Sequence, residues 1–442
     1  MSNRMAELAL KAGIVGAGGA GFPTHVKLDT QVNHIIINGA ECEPLITVDQ
    51  MLMLYHADDL VRIAEQVRHE LGAVLVSFAV KAKHSQVVAE LQRVINNNQN
   101  LEVFQLGDFY PAGDEVVTVY EVTGLSIPEG GIPLDVGVVV VNVETLWNLS
   151  QAEKGIVNTH KWLTVAGLVE RPGIYRVPMG IAKRQVLEAA GASLDEGVYI
   201  IDGGPMMGKL VEDLDETVTK TTKALLALPA DHPVIVNARR DMNQMLRQAR
   251  SICCQCRLCS DVCPRNLLGY HCEPNRTILD AGYNWSISSD TMTQALACSE
   301  CGACDMYSCP MGLSPRRINS MLKQQLNKSQ IPNPHKGNTP QPSVWRPYRR
   351  IPTSRLRSRL DVDKYSSPVR VNEQEFILAQ IYLPLKQHIG APAQPVVKVG
   401  DSVRLGQLIA VVPESTRVSS NVFSSMDGRV TAVDTEGIKI VR

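Results

Sequence analysis

The chain has 442 residues, with 44 Lys and Arg against 45 Asp and Glu, for a net charge of −1. That length allows three or more domains, and the charge balance, without a basic block, excludes a polyanion-binding protein. The longest apolar run, residues 136–143, is far short of the ~20 residues that span a bilayer, and residues 1–12 lack the apolar core and cleavage site of a signal peptide. The expectation is a soluble cytoplasmic protein with reduced thiols.

Residues 1–160 read as one α/β domain. A helix-like start leads into VGAGGAGFPTHVKL, residues 15–28, which contains G-x-G-x-x-G at Gly16, Gly18 and Gly21, with Glu41 about twenty residues on. A dinucleotide fingerprint follows a strand and opens a helix. This loop follows a helical stretch, and the first clear strand, HIIIN at 34–38, comes after it. Bare backbone N–H groups still suit a phosphate cradle; the competing reading is a glycine loop without a ligand. GAECEP follows, with Glu41 and Glu43 at the end of the strand, where ligands of open α/β sheets gather. YPAGDE (110–115) and VVVVNVETLWN (138–148) add polar groups at turns and a strand end.

Residues 161–228 carry short β-like runs with a turn at Arg171, Pro172 and Gly173, a helical AKRQVLEAAG, and GGPMMG at 203–208. Met206 and Met207 read as core or turn packing rather than a docking surface. A helical segment, 238–252, then leads to the cysteines.

Cys253, Cys256, Cys259 and Cys263 stand at C-x2-C-x2-C-x3-C before Pro264, and Cys298, Cys301, Cys304 and Cys309 repeat this with one extra residue before Pro310. Two such runs mark a ferredoxin module with two [4Fe–4S] clusters, in which the fourth cysteine of each run ligates the other cluster. The assignment is Cys253, Cys256, Cys259 and Cys309 for cluster 1, and Cys263, Cys298, Cys301 and Cys304 for cluster 2. Structural zinc pairs two knuckles for four ligands in all, and disulfides need an oxidising compartment. Cys42, Cys254 and Cys272 fall outside the pattern, as buried free thiols or neighbours of a site.

MGLSPRRINSMLKQQL (311–326) reads as a closing helix with Pro315 in its first turn. Residues 328–368, rich in Pro, Ser, Asn and Arg, read as a linker whose basic stretch at 345–359 is solvated and laid on its own domain. Residues 369–442 carry closely spaced short strands. His388, in QHIG, reads as a turn or core histidine rather than a cobalt ligand, and His25 as a surface or turn histidine rather than a base.

At the level of family, GAGGAGFPTHVK, NGAECEP, GDE and NVETL resemble the FMN- and NADH-binding blocks of the 51 kDa flavoprotein subunit of respiratory complex I and of the Rnf-complex C subunit. The resemblance implies that Gly16, Gly18, Gly19 and Lys27, with Gly21 in the same loop, hold the FMN phosphate and ribityl chain. It implies that Asn38, Glu41, Asn142 and Thr145 line the flavin. It also implies that Phe22 stacks on NADH, with Glu43 and the Gly113, Asp114 and Glu115 turn near its ribose or nicotinamide. Ala17 and Val141 depart from the complex I pattern, which has arginine and asparagine there. Lys27 competes with a solvated helix lysine, and Phe22 with a core aromatic.

Residues 161–228 resemble the soluble-ligand-binding β-grasp domain of the same families, and 369–442 a lipoyl-like barrel-sandwich hybrid without the carrier lysine. That hybrid lies at the C-terminus, whereas the Rnf C subunit has it at the N-terminus; this order is similar to the corrin reductases of propanediol-utilisation microcompartments. The fold class implied is multidomain α/β and α+β: a Rossmann-like FMN/NADH domain (1–160), a β-grasp domain (161–228), a linker helix and ferredoxin-like module (229–327), a linker (328–368) and the barrel-sandwich hybrid (369–442). The function implied is electron transfer along NADH, FMN, first cluster, second cluster and a corrinoid, reducing cob(III)alamin toward cob(I)alamin. A corrinoid adenosyltransferase and microcompartment shell proteins are the implied partners. An electron-input subunit of an Rnf-type membrane complex and a non-enzymatic scaffold are the alternatives.

Overall fold

The computed structural model describes residues 3–284, 286–287 and 289–442, so Met1 and Ser2 of the segment read for a signal peptide lie outside the described residues. Strands β1 (His34–Gly39), β2 (Leu75–Lys81) and β3 (Leu101–Leu106), a short β4 (Phe109–Tyr110) and β5 (Val138–Asn142) belong to the first unit. Its sheet is ordered β3-β2-β1-β5 with every pair parallel. A parallel sheet covered on both faces favours continuous β-branched runs. Ile35 and Ile37 pack with helices Arg4–Lys11, Val48–Tyr55, Ala57–Glu70, Ser85–Ile95 and Val143–Glu153 on one face, and Ile36 with helix Glu115–Thr123 on the other. The glycine loop lies between helices Arg4–Lys11 and Thr24–Leu28, ahead of β1. It is therefore not the strand–loop–helix of a dinucleotide fingerprint. Asn38 and Asn142 are register partners at the carboxyl edge of β1 and β5, which brings two separated sequence blocks to one rim.

The second sheet holds β6 (His160–Gly167), β7 (Gly173–Pro178), β8 (Val198–Asp202), β9 (Lys209–Leu210) and β10 (Ala224–Pro229), ordered β7-β6-β10-β8-β9. Helix Lys183–Ala189 packs on it through Val186 and Leu187. Next come helices Met242–Ile252, Pro274–Gly282 and Pro315–Lys328, which share one apolar cluster, with Pro315 in the first turn of the last.

Residues 328–368 differ from a solvated linker. They form helices Arg346–Arg349 and Thr353–Arg359 and strand β11 (Ile351–Pro352), which pairs antiparallel with β4. Arg346, itself buried, pairs with Glu121, and Arg350 does so at 3.0 Å. Arg349 pairs with Asp261 at 2.7 Å. The basic stretch is laid on its own chain, as expected, but through fixed ion pairs that straddle the first unit and the cysteine module.

The C-terminal unit has strands β12 (Gln380–Pro384), β13 (Gln394–Pro395), β14 (Ser402–Val403), β15 (Leu408–Val411), β16 (Val422–Phe423), β17 (Gly428–Val433) and β18 (Gly437–Val441). They form two small sheets, β12-β18-β17-β14 and β13-β15-β16. Ile381, Ile409 and Ile438 share one apolar core with Leu163, Val177 and Leu225 of the second sheet. None of the described helices is long and apolar enough to cross a membrane.

Candidate functional site

Each group of four cysteines surrounds a hollow. Cys253, Cys256, Cys259 and Cys309 line one, together with Cys254, Arg257 and Ile278. Cys263, Cys298, Cys301 and Cys304 line another, together with Arg316 and Gly302. Among the described residues no group of His, Cys, Asp and Glu converges as a single-ion site; the thiols stand apart around space. Donors already point at several sulfurs: Gln255 Nε2 donates to Cys253 at 3.1 Å, and the Glu300 and Leu313 N–H groups donate to Cys298 and Cys309 at 3.3 Å. Four thiols with N–H donors around a hollow are a donor set that fits an iron–sulfur cubane. Burial, then neighbouring thiols, push Cys259 up to about 12 and Cys298 to about 11. These sulfurs lose protons when iron binds, so loading releases protons.

The second hollow adjoins the flavin unit. Arg265, two residues after Cys263, pairs with Asp114 at 3.0 Å, and Tyr110 Oη donates to the Cys301 carbonyl at 2.5 Å. Cys42 packs with Cys301 in one apolar cluster, and its sulfur accepts the Gly113 N–H at 2.8 Å. The first hollow faces outward, with Cys254 and Cys256 exposed. Chain order and spatial order thus differ: the thiols numbered second lie nearest the flavin loops. Cys272 is buried with its sulfur 3.8 Å from that of Cys263. All three extra cysteines are neighbours of a site, although Cys254 is exposed rather than buried.

The glycine loop closes as a hairpin, with the Gly16 N–H donating to the Phe22 carbonyl at 2.9 Å. A Cβ added at Gly18 would lie 2.9 Å from Asn142 Nδ2, whereas one at Gly19 would meet nothing within 4 Å. This is a cradle open on one side and seated on Asn142 on the other, which fits close approach of a phosphate-bearing ligand such as FMN. Thr145 Oγ1 accepts the Ala17 N–H at 2.9 Å, so the departure to alanine there keeps its backbone contact. Asn38 donates to the Gly113 carbonyl at 2.9 Å, joining the NGAECEP and GDE blocks. Lys27 keeps a partly exposed side chain but is paired: Nζ reaches Glu115 at 2.8 Å and the Val140 carbonyl at 3.0 Å. Phe22 is 37% exposed, an aromatic face left outside the core. Gly21 packs on Thr221 and His388, away from Asn142.

The carboxylates are set deeper than their sequence context implies. Asp114 caps helix Glu115–Thr123 through the N–H groups of Val116 and Val117, besides holding Arg265. Glu43 accepts the Met206 N–H at 3.0 Å, and a Cβ at Gly204 would strike its carboxylate at 2.2 Å. The GGPMMG turn therefore seals Glu43, and burial pushes its carboxyl up to about 7. Met206 is buried there, as expected of core or turn packing, while Met207 is exposed. Glu41 accepts from the Asp49 and Gln50 N–H groups at 2.8 and 3.2 Å, and burial, then Asp49, push it to about 7.

Sequence reading missed a buried charge network below this rim. Lys223 Nζ reaches Asp49 at 2.8 Å and Glu144 at 2.9 Å, and Lys161 reaches Glu144 at 2.7 Å. Asp49 also accepts from Asn142 Nδ2 at 2.8 Å. Burial pulls the Lys223 ammonium down, but Asp49 and Glu144 outweigh it and leave it above its ordinary value. The only sequence signal was TKTTK at 219–223, too short and polar a stretch to mark a buried pair. His25 is a further correction: it is buried in helix Thr24–Leu28, with Nε2 2.9 Å from the Arg417 carbonyl. His388 is a buried histidine, as expected.

Comparison with known proteins follows the same division. The Nuo51 FMN-binding domain family matches residues 10–151, the 4Fe–4S dicluster domain family residues 252–314, and the RnfC barrel-sandwich hybrid domain family residues 361–440. Cobalamin reductase PduS of Salmonella typhimurium is 39% identical over 442 residues, 100% of this chain and 97% of that protein. PduS of Citrobacter freundii is 39% identical over 98% of this chain and 95% of its own length. The C subunit of the Na(+)-translocating ferredoxin:NAD(+) oxidoreductase complex of Acetobacterium woodii is 33% identical over 59% of this chain and 58% of that protein. In fold, an NAD+-reducing [NiFe]-hydrogenase chain aligns with a TM-score of 0.50 at 20% identity, covering 74% of this chain and 62% of that one. The chain is an oxidoreductase with an FMN-binding domain and a 4Fe–4S dicluster domain, and it belongs to the cobalamin reductase family.

Proposed function

We propose that the chain passes electrons from NADH to a corrinoid, with FMN in the glycine-loop cradle and one [4Fe–4S] cluster in each thiol-lined hollow. FMN when bound accepts hydride and gives up electrons singly, and each cluster carries one at a time. The chain's own residues do the rest. Gly18 and Asn142 form the cradle and its floor, Thr145 holds the loop at Ala17, and Phe22 offers its exposed ring to the nicotinamide. Asn38, Glu41, Glu43, Lys27 and Glu115 shape the walls. Cys263, Cys298, Cys301 and Cys304 would hold the cluster that receives electrons from the flavin side, and Cys253, Cys256, Cys259 and Cys309 would hold the one that hands them outward. The observation that carries this order is the contact of Arg265 with Asp114 and of Tyr110 with Cys301. It puts the second hollow against the flavin unit and leaves the first facing outward. The acceptor follows from the cobalamin reductases that match the full chain. The family resemblance adds, as proposed neighbours, an adenosyltransferase that consumes the reduced corrinoid and a microcompartment shell. The test is anaerobic NADH oxidation with hydroxocobalamin, a quinone or ferredoxin as acceptor. Preferential reduction of the corrinoid is expected; preference for quinone or ferredoxin would overturn the assignment.

A further inference from the structure

Lys223 belongs to the β-grasp unit, immediately before β10, and its carbonyl accepts the Thr164 N–H of β6 at 3.1 Å. Its backbone is fixed in one unit while its ammonium is spent in another. Nζ donates to Asp49 at 2.8 Å and to Glu144 at 2.9 Å, and these carboxylate residues are only 3% and 1% exposed. Asp49 spends its other oxygen on Asn142 Nδ2 at 2.8 Å, while Asn142 Oδ1 accepts the Glu144 N–H at 3.0 Å. Both ends of the amide are thereby assigned, which fixes its orientation. Gly18 sits directly on that amide. Lys161 makes its ion pair with Glu144 and acts on Asp49 only at longer range, so among the described residues Lys223 is the cation in direct contact with Asp49.

We infer that Lys223 is a positioning residue of the FMN site: it holds Asp49, Asp49 holds Asn142, and Asn142 forms the floor under the glycine cradle. The inference rests on the flavin reading above. Without this ammonium, a buried Asp49 must gain a proton or water, and either change weakens its hold on the Asn142 amide, since a neutral or hydrated carboxyl accepts less strongly than a carboxylate held by Lys223. The β-grasp unit thus completes a cofactor site whose other parts all come from the first unit.

The test uses the full chain, anaerobically reconstituted, with FMN affinity read by quenching of flavin fluorescence and the flavin midpoint potential read by titration. Lys223→Met is expected to raise the FMN Kd about tenfold, the factor one charge-assisted hydrogen bond commands, and to shift the flavin potential. Lys223→Arg is expected to restore most of the affinity, and Lys223→Met is expected to add little in an Asn142→Ala background, since one acts through the other. Equal affinity and potential in wild type and Lys223→Met would overturn the inference, as would losses that add in full in the double variant. Should Lys223→Met fail to retain iron, the charge-balanced Lys223→Met/Glu144→Gln pair takes its place, with the same loss expected and wild-type affinity contradicting. A wild-type chain that takes up no FMN would instead overturn the flavin reading, and this is seen before any variant is made.

Discussion

Glu43 shows how much a single side chain gains from being sealed. Burial raises its carboxyl from 4.5 to about 7, so between those values the folded chain holds a proton that the unfolded chain has lost. Its contribution to stability is present below pH 4.5 and disappears as the pH rises toward 7. Glu43→Gln, which cannot ionise, is therefore expected to match wild type in thermal stability near pH 4 and to exceed it at pH 8 by up to about 3 kcal/mol. A Tm difference independent of pH would contradict this. Phe22, exposed beside the cradle, is expected to act on binding alone: Phe22→Ala should raise KM for NADH by up to about tenfold without lowering Tm. Steady-state kinetics and a melting curve check both halves. The cysteines were legible because their geometry is local, each run of four spanning about a dozen residues. Lys223 was not, because its partner Asp49 lies 174 residues away and nothing in either neighbourhood announces the pair. His25 was misread for the same reason, its partner Arg417 coming from the far end of the chain.

At the scale of elements, the strap formed by residues 328–368 behaves as part of the core. Arg346 lies over the Tyr120 ring at 4.8 Å and shares Glu121 with Arg350. Arg346→Ala is expected to lower stability by about 1–3 kcal/mol, less than a fully orphaned charge because Arg350 remains. A denaturant midpoint that moves with an unaltered m-value would show it; a midpoint equal to wild type would make the strap a passive linker. The strap buries Ile351, Leu356, Leu360 and Val362 in the core, but these few apolar positions stand among arginines and serines on short elements, and its ion pairs and the β11–β4 pairing leave no periodic signal. By contrast β1, β5 and helices Met242–Ile252 and Pro315–Lys328 were legible, since β-branched runs, hydrophobic spacing and a first-turn proline encode them locally.

Over the whole molecule, the units are joined where the chemistry needs them joined. Asp114 and Arg265 tie the first unit to the second hollow, Lys223 ties the unit of the second sheet to Asp49 and Glu144 of the first, and the C-terminal unit shares the second sheet's core. Sequence order could not place one thiol group ahead of the other, because that order is set by contacts between units. The central claim is that electrons leave the flavin through the iron–sulfur clusters. The most direct measurement is a pair of anaerobic rates in Cys301→Ala, which removes one thiol beside the flavin unit: flavin bleaching by NADH, and reduction of hydroxocobalamin. The account expects bleaching near the wild-type rate with corrinoid reduction lowered at least about tenfold. Corrinoid reduction at the unaltered rate would contradict it.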